Sequence, residues 1–377
     1  MRTQSQKPLY EQIYEDLKRR INEGKYPIGA KIPPEHALIA EYNVSRITIQ
    51  KAVNQLAVEG LVKRRSGQGT TVIHQEELPA SNTLLGLVMS GLSESYGDDL
   101  LRSICSTCEA AGYSLVIKFA NEDQRHEEEA VRALLAIPVR GILISPIQRS
   151  FYDQALVKEI LTGFPVTVLD KEITGIDSLF VGTNHYQAAA EVAKRISDAG
   201  HHRIGLINYA EIMNFSLDAR NRAFKDIYAH TNFPLKADAI PFIIRTAYLQ
   251  RNNHAAVTED IDRIKVFIRR NHPTCLIGID NYITTLIYEA VTQLGLQVPQ
   301  DICLFGFDSN HSTPPSLRYD TLVQNEQMIG KDAVTLLLKA INHEPIDKRA
   351  IRYPAQFVDN GTLIPTNQMR TDRLFSL

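Results

Sequence analysis

The sequence predicts two fold classes in one chain: a small α+β head, in which three helices lead into a β-hairpin, and a larger α/β body of two lobes with parallel sheets. Three observations predict this. The first 75 residues carry helical periodicity followed by a basic hairpin with glycines at its tip. From residue 84 onward short apolar runs alternate with amphipathic segments, which is the pattern of parallel β–α–β units. That rhythm restarts after about residue 184 and so divides the body. At 377 residues the chain is long enough for two or three domains.

Charge follows the same division. The formal net charge is -2. Residues 1–75 hold 12 Lys/Arg against 7 Asp/Glu, and the remainder holds 29 against 36. A basic head on an acidic body places the contact with a polyanion in the head.

Within the head, Leu9, Ile13, Leu17 and Ile21 recur every four residues with charges between them, which predicts an amphipathic helix ended by Gly24. Pro27, Gly29, Pro33 and Pro34 make a rigid connection. A second short helix spans Glu35 to Glu41, with Leu38, Ile39 and Tyr42 as core contacts, and Asn43 suits the turn after it. Ser45 is placed to N-cap a third helix. On that helix Ile49, Ala52, Val53 and Leu56 face inward, leaving Arg46, Thr48, Gln50 and Lys51 near its exposed start. Lys63-Arg64-Arg65 and the Gly67-Gln68-Gly69 tip then form the hairpin, where glycine permits φ > 0.

This is the layout of a winged helix-turn-helix, whose recognition helix enters the major groove of duplex DNA. Ser45, Arg46, Thr48, Gln50 and Lys51 are the expected readers. Arg can take guanine bidentately, Gln can take adenine, and Thr can meet a thymine methyl or a phosphate. Lys63, Arg64 and Arg65 are expected at phosphates, and Gly67, Gln68 and Gly69 at a close backbone approach to the minor groove. Any one of these residues alone suits an ordinary three-helix domain with solvated charges; their order along one segment favours DNA. Residues 7–73 resemble the winged-helix domain of the GntR family of bacterial transcription regulators. The resemblance rests on Pro8-Leu9-Tyr10, Pro27-x-Gly29, Ile32-Pro33-x-Glu35, Val44-Ser45-Arg46-x-Thr48-Ile49, Glu59-Gly60-Leu61-Val62 and Gly67-x-Gly69-Thr70. Two departures stand out. Pro34 replaces the usual Ser and its capping hydroxyl, and Gln50 replaces a usual Arg, which implies a different operator preference.

The head is expected to span residues 1–73. Residues 74–83 are polar, lack periodicity and contain Pro79, which predicts a linker. In the body, strands are predicted at 84–90, 114–119, 141–145 and 166–170, then at 203–208, 239–244, 274–279 and 302–307, with helices between. Crossovers near 184 and 324 give a first lobe of 84–184 with about 325–345, and a second of 185–324 with about 346–377. Ligands of open parallel sheets bind beyond the carboxyl ends of the strands. The polar residues there are Ser90, Asp98, Ser145, Asp170, Lys171, Asn184, Asp280 and Asp308, with Arg220 on a following helix. Carboxylates, amides and an Arg converging on one cleft suit a polyhydroxyl ligand, because each hydroxyl both donates and accepts. Singly, each of these residues could equally cap a helix or face water.

Residues 84–365 resemble the effector core of the LacI/GalR repressors, relatives of the periplasmic sugar-binding proteins with their type I two-lobed fold. The matching segments are Asp218-x-Arg220-x-Arg222-x-Phe224, Ile279-Asp280-Asn281, Leu296-x-Val298-Pro299-x-Asp301-Ile302, Gly306-Phe307-Asp308 and Val323-Gln324-Asn325. The resemblance implies sugar contacts at Arg220, Asp280 and Asp308, and places Gln324 in the site. Asp280-Asn281 inverts the usual Asn-Asp, which bears on sugar preference. That family's own DNA head and hinge helix are absent. A GntR-type head on a LacI-type body resembles the arabinose-responsive repressors (AraR). This implies a homodimer on a palindromic operator, released by a monosaccharide. L-Arabinose is the first expected effector, and other pentoses or deoxyhexoses come next.

Other classes are disfavoured. There is no G-x-S-x-G, no P-loop, no segment matching a PLP lysine and no metal-ligand cluster, so no enzyme, cofactor or metal is expected. Of the four cysteines, Cys105 and Cys108 form a C-x-x-C on a helical repeat, which suits core packing better than zinc or redox work. The N-terminus lacks the apolar core of a signal peptide, and no apolar run reaches the roughly 18 residues of a membrane span. The expected location is the cytoplasm, with no membrane partner.

Overall fold

The computed structural model describes residues 8–22, 24–65, 69–74, 83–92, 96–147, 154–173, 175–210, 215–236, 238–246, 250–308 and 318–376. They form two compact units that divide between residues 81 and 82.

The head contains α1 (Leu9–Asn22), α2 (Glu35–Tyr42) and α3 (Arg46–Val58), then β1 (Val62–Arg65) and β2 (Gly69–Val72). α1 buries Ile13, Leu17 and Ile21 against Leu38 of α2 and Ile49, Val53 and Leu56 of α3. Each such aliphatic side chain contributes about 1.5–3 kcal/mol when fully buried. Pro34 stands at the N-cap of α2 and offers no side-chain cap, as the loss of the Ser hydroxyl predicts, and Asn43 ends the helix in the left-handed region at φ 49°. Ser45 caps α3 by accepting the Thr48 amide at 3.3 Å. β1 and β2 pair antiparallel from Val62↔Val72 to Arg65↔Gly69. The stretch before α2 lies along β2, through Ile32 N to Thr70 O (3.0 Å) and Val72 N to Ala30 O (2.9 Å).

In the body, lobe 1 runs through β3 (Leu84–Met89), α4 (Asp98–Ala110), β4 (Ser114–Phe119), α5 (Gln124–Leu135), β5 (Ile142–Ile144), α6 (Gln154–Leu161), β6 (Val166–Leu169) and β7 (Leu179–Thr183). Lobe 2 follows with α7 (His185–Asp198), β8 (Ile204–Tyr209), α8 (Phe215–Ala229), β9 (Phe242–Ile244), α9 (His254–Asn271), β10 (Cys275–Gly278), α10 (Asn281–Gln293), β11 (Cys303–Phe307) and β12 (Asp320–Val323). The chain returns to lobe 1 for α11 (Glu326–Ile341) and β13 (Ala350–Tyr353), and ends in lobe 2 with β14 (Gln356–Val358) and α12 (Asp372–Phe375).

The two six-stranded sheets share one strand order and differ in the direction of one edge strand. Their orders are β13-β7-β6-β5-β3-β4 and β14-β12-β11-β10-β8-β9. Every pair is parallel except β12 with β14. Strands buried on both faces explain the near-continuous apolar runs, such as Leu84–Met89 and Cys303–Phe307.

One expectation needs correction. Lobe 1 does not end near residue 345: β13 pairs with β7 from Ala350↔Phe180 to Tyr353↔Thr183, and the Phe180 amide donates to Arg349 O at 2.8 Å. The chain therefore crosses between lobes a third time at Pro354-Ala355, in addition to the crossovers at 184 and 324. Four strands that flank the crossovers, β7, β12, β13 and β14, are absent from the sequence reading. Their runs are three to five residues long, and a polar residue stands in each of them. Residues 75–82 of the expected linker lie outside the described residues.

Cys108 packs in the lobe 1 core and Cys105 is half-buried beside it on α4. Among the described residues no group of three His, Cys, Asp or Glu is placed to hold a metal ion, and no helix is long and apolar enough to cross a membrane.

Candidate functional site

The first candidate site is the exposed start of α3. Ser45, Arg46 and Lys51 are exposed, while Thr48 and Gln50 are half-buried. The inward residues Ile49, Ala52, Val53 and Leu56 fix the roll of the helix and leave these side chains outward. Glu35 at the start of α2 organises them. Its Oε2 accepts from Arg46 Nε and from Gln50 Nε2, each at 3.2 Å, and its Oε1 accepts from Arg64 Nη2 at 2.6 Å. Arg64 also donates to Asn54 Oδ1. Two expected readers on α3 and one expected phosphate contact on the wing thus share one carboxylate. Lys63 and Arg65 are exposed on β1, as phosphate contacts require. Gly69 is exposed at φ 93°, a backbone that L side chains rarely adopt. Gly67 and Gln68 lie outside the described residues. Ile47 is 67% exposed between Arg46 and Thr48, and the sequence reading leaves it out.

The second candidate site lies at the carboxyl ends of the body's strands. Asp170 follows β6 and Asp308 follows β11. Arg220, 4% exposed on α8, donates through Nη1 to Ile279 O at 2.6 Å and through Nη2 to Asp308 Oδ2 at 3.1 Å. Its guanidinium also lies 4.4 Å from the centre of the Phe307 ring. Gln324 Nε2 donates to Asp308 Oδ1 at 2.9 Å, and Thr183 Oγ1 donates to Gln324 Oε1 at 2.5 Å. His185 lies between Arg220 Nη2 (3.5 Å from Nδ1) and Asp170 Oδ1 (3.4 Å from Nε2). Lys171 Nζ reaches Ser90 Oγ at 3.3 Å. Asp170, His185, Arg220, Asp308, Gln324 and Thr183 therefore form one polar chain. It runs from lobe 1 through lobe 2 and back, beside the first two crossovers.

The electrostatics follow from this packing. Burial pushes the Asp170 carboxyl up, but the neighbouring His185, with Lys171 and Arg220, outweighs it and holds the group below the usual carboxylate range. Asp280 shifts the other way: burial pushes it up despite the Ile283 amide (2.9 Å) and the Tyr209 hydroxyl (2.6 Å) that donate to it. Asp280 is thus the N-cap of α10, and both its oxygens have internal partners. Gly278 and Gly306 allow Thr284 of α10 to sit directly on the sheet; a Cβ at either would collide with that side chain. The cap is therefore held at the edge of the cleft.

Not every expected residue joins the cluster. Ser145 ends β5 and is buried, with its amide donating to Val88 O at 2.9 Å. Asp98 does not belong to the cluster: its side chain is exposed on α4 and pairs with Arg102 one turn on, at 3.0 Å. The start of α4 is instead capped from outside. Glu326 Oε2 accepts the amides of Gly97 (2.9 Å) and Leu100 (3.0 Å). The sequence reading leaves out Glu35, Thr183, His185, Tyr209 and Glu326. An internal signal exists for two of them. Thr183-Asn184-His185 and Gln324-Asn325-Glu326 each lie at the end of a crossover strand, each Asn caps the next helix, and each cap precedes a titratable residue. A groove of about 630 Å³ between β9 and α9, lined by Ile240, Ile243, Val266 and Phe267, shares no residue with the cluster.

Known proteins resemble both parts. Residues 9–72 match the model for bacterial regulatory proteins of the gntR family, and residues 193–363 match a periplasmic binding protein-like domain. The chain is similar to an arabinose metabolism transcriptional repressor of Halalkalibacterium halodurans, 25% identical over 355 residues that cover 90% of this chain and 91% of that protein. It is also similar to a repressor of the same name from Geobacillus stearothermophilus, 22% identical and covering 94% and 98%. Among solved structures, a periplasmic binding protein/LacI transcriptional regulator from Alkaliphilus metalliredigens, complexed with D-xylulofuranose, superposes with a TM-score of 0.62 at 17% identity, covering 75% of this chain and all of that one. A LacI family regulator from Enterococcus faecium with bound ribose gives a TM-score of 0.58 at 18% identity, covering 75% and 99%. These structural likenesses establish the fold of the body. The relatives matched along the chain are transcription regulators, not enzymes.

Proposed function

Because the chain joins a gntR-type DNA-binding head to a periplasmic-binding-protein-like body, we propose that it is a sugar-responsive transcriptional repressor. The observation that carries this reading is the polar chain Asp170–His185–Arg220–Asp308–Gln324–Thr183 across the lobe crossovers. It offers fixed donors and acceptors of both kinds at one cleft, the complement of a ring of hydroxyls. The effector is a monosaccharide, with L-arabinose first and other pentoses or deoxyhexoses next. The names of the repressors matched over most of the chain support that order.

In this reading a homodimer places two α3 helices on the half-sites of a palindromic operator in the cytoplasm. Arg46 and Gln50 read bases while Lys63 and Arg65 hold phosphates. Sugar bound between Asp170 of lobe 1 and Arg220, Asp280 and Asp308 of lobe 2 draws the lobes together about the three crossovers. The heads then lose their spacing. By linkage, operator DNA must weaken sugar binding by the same factor.

The test is operator binding by fluorescence anisotropy, with a panel of neutral monosaccharides and a thermal-shift screen in parallel. One pentose is expected to weaken operator affinity tenfold or more and to raise Tm. A panel in which no sugar changes either quantity removes the sugar assignment. A sugar that strengthens operator binding replaces release with co-repression.

A further inference from the structure

His185 opens α7 directly after the first crossover and is buried. Asn184 caps that helix by accepting the Gln187 amide at 3.1 Å, which sets where the first side chain points. The ring then lies between a carboxylate of lobe 1 and a guanidinium of lobe 2. Nδ1 is 3.5 Å from Arg220 Nη2, and Nε2 is 3.4 Å from Asp170 Oδ1. Among the described residues neither Nε2 nor Asp170 Oδ1 has another hydrogen-bond partner. A guanidinium has donors and no acceptor. The nitrogen that faces it must therefore be the bare, accepting one, and the ring proton sits on Nε2, aimed at Asp170. The other titratable and charged groups around this contact include Lys171 and the buried Tyr96 beside Asp170, and Asp308 on the far side of Arg220.

We propose that His185 is a positioning residue of the cleft: held by Arg220 as the neutral Nε2–H tautomer, it aims Asp170 from one lobe and Arg220 from the other at a single ligand. The proposal rests on the reading of the cleft as the effector site.

The first experiment needs no ligand. In the full chain with ¹⁵N-labelled histidine, two-dimensional ¹⁵N–¹H spectra at about pH 8 are expected to show the Nε2–H tautomer for the ring that disappears in His185→Gln. An Nδ1–H tautomer or an imidazolium at that pH overturns the proposal whether or not any sugar binds. The second experiment titrates L-arabinose calorimetrically. His185→Ala is expected to bind roughly tenfold to a hundredfold more weakly than the unsubstituted chain. His185→Gln, whose amide N–H can still reach Asp170, recovers part of that loss. Unchanged affinity in His185→Ala, or a His185→Gln variant no tighter than His185→Ala, overturns the positioning role. If L-arabinose fails to bind the unsubstituted chain, the sugar assignment falls, and the tautomer still decides the role of His185.

Discussion

Asp170 and Asp308 end equivalent strands of the two lobes, and both adopt the left-handed backbone region at φ 61°. Each amide donates to a carbonyl of the next strand, Asp170 to Val181 and Asp308 to Leu322, both at 3.1 Å. Asp and Asn are the side chains that best tolerate this region, at a cost of order 1–3 kcal/mol where the surroundings enforce it. The enforcement is visible: His185 faces one carboxylate, and Arg220 and Gln324 hold the other. The fold uses one turn twice, once per lobe, to aim a carboxylate at the cleft.

Asp308→Asn removes the counter-charge of a buried guanidinium and leaves the backbone turn intact. It is expected to destabilise the body by about 1–3 kcal/mol in urea unfolding and to weaken sugar binding at least tenfold. Arg220→Ala should also abolish the response. Both variants keep operator affinity, because Asp308 and Arg220 lie outside the head. Loss of operator binding in both would assign the pair to folding instead.

Glu35→Gln removes the carboxylate shared by Arg46, Gln50 and Arg64. The readers lose their common anchor, and the head loses a negative charge. Affinity for random DNA should rise, while the ratio of specific to random binding falls about tenfold, equivalent to roughly 1.4 kcal/mol. Anisotropy at one fixed salt concentration measures both. An unchanged ratio contradicts the organising role.

Ile47 exposes an aliphatic side chain at the start of the reading helix. It suits a thymine methyl in the major groove. Ile47→Ala should cost about 1 kcal/mol at one T·A position of the operator and nothing at other positions. A scan of single base-pair changes identifies that position. A uniform loss over all operators would mean that Ile47 supports the helix rather than reads a base.

Burial pushes the Glu326 carboxyl up to about 7, against the two amides that donate to it, and Asp308 and Asp99 add to the rise. Its unfolded value is near the usual 4.5. Between those values the native state binds the extra proton. The glutamate therefore lowers stability most above pH 7, and stability recovers as pH falls toward about 4.5. Glu326→Gln keeps an acceptor for Gly97 and Leu100 without the charge. It should stabilise the body by about 1 kcal/mol at pH 8, after allowance for solvent screening, and by almost nothing near pH 5. Urea midpoints at the two pH values decide this, and a destabilised variant at pH 8 would reverse the assignment.

Much of the fold is legible in the sequence because its signals are local. Leu9, Ile13, Leu17 and Ile21 mark α1 within one stretch, and Leu84–Met89 marks a central strand by itself. The crossover strands are not legible in this way. β13 is Ala350-Ile351-Arg352-Tyr353, and only its pairing with β7 makes it a strand. For the same reason the first two crossovers can be placed from the rhythm of the chain, and the third cannot. The site divides likewise. Ser45 announces its capping role by position. Glu35 reveals its role only when Arg46, Gln50 and Arg64 meet around it.

The sequence by itself determined the order of the parts, a basic reading head before two β–α lobes, and the chemical types available at the strand ends. Periodicity, caps and turn residues act over a few positions, so one dimension suffices to read them. Tertiary structure alone decided what each carboxylate does. Asp98 faces water beside Arg102, Asp280 caps a helix and takes the Tyr209 hydroxyl, and Asp308 holds a buried guanidinium. The three are chemically identical in the sequence. Burial and the choice of partner separate them, and both arise from three chain crossings that bring distant segments to one cleft.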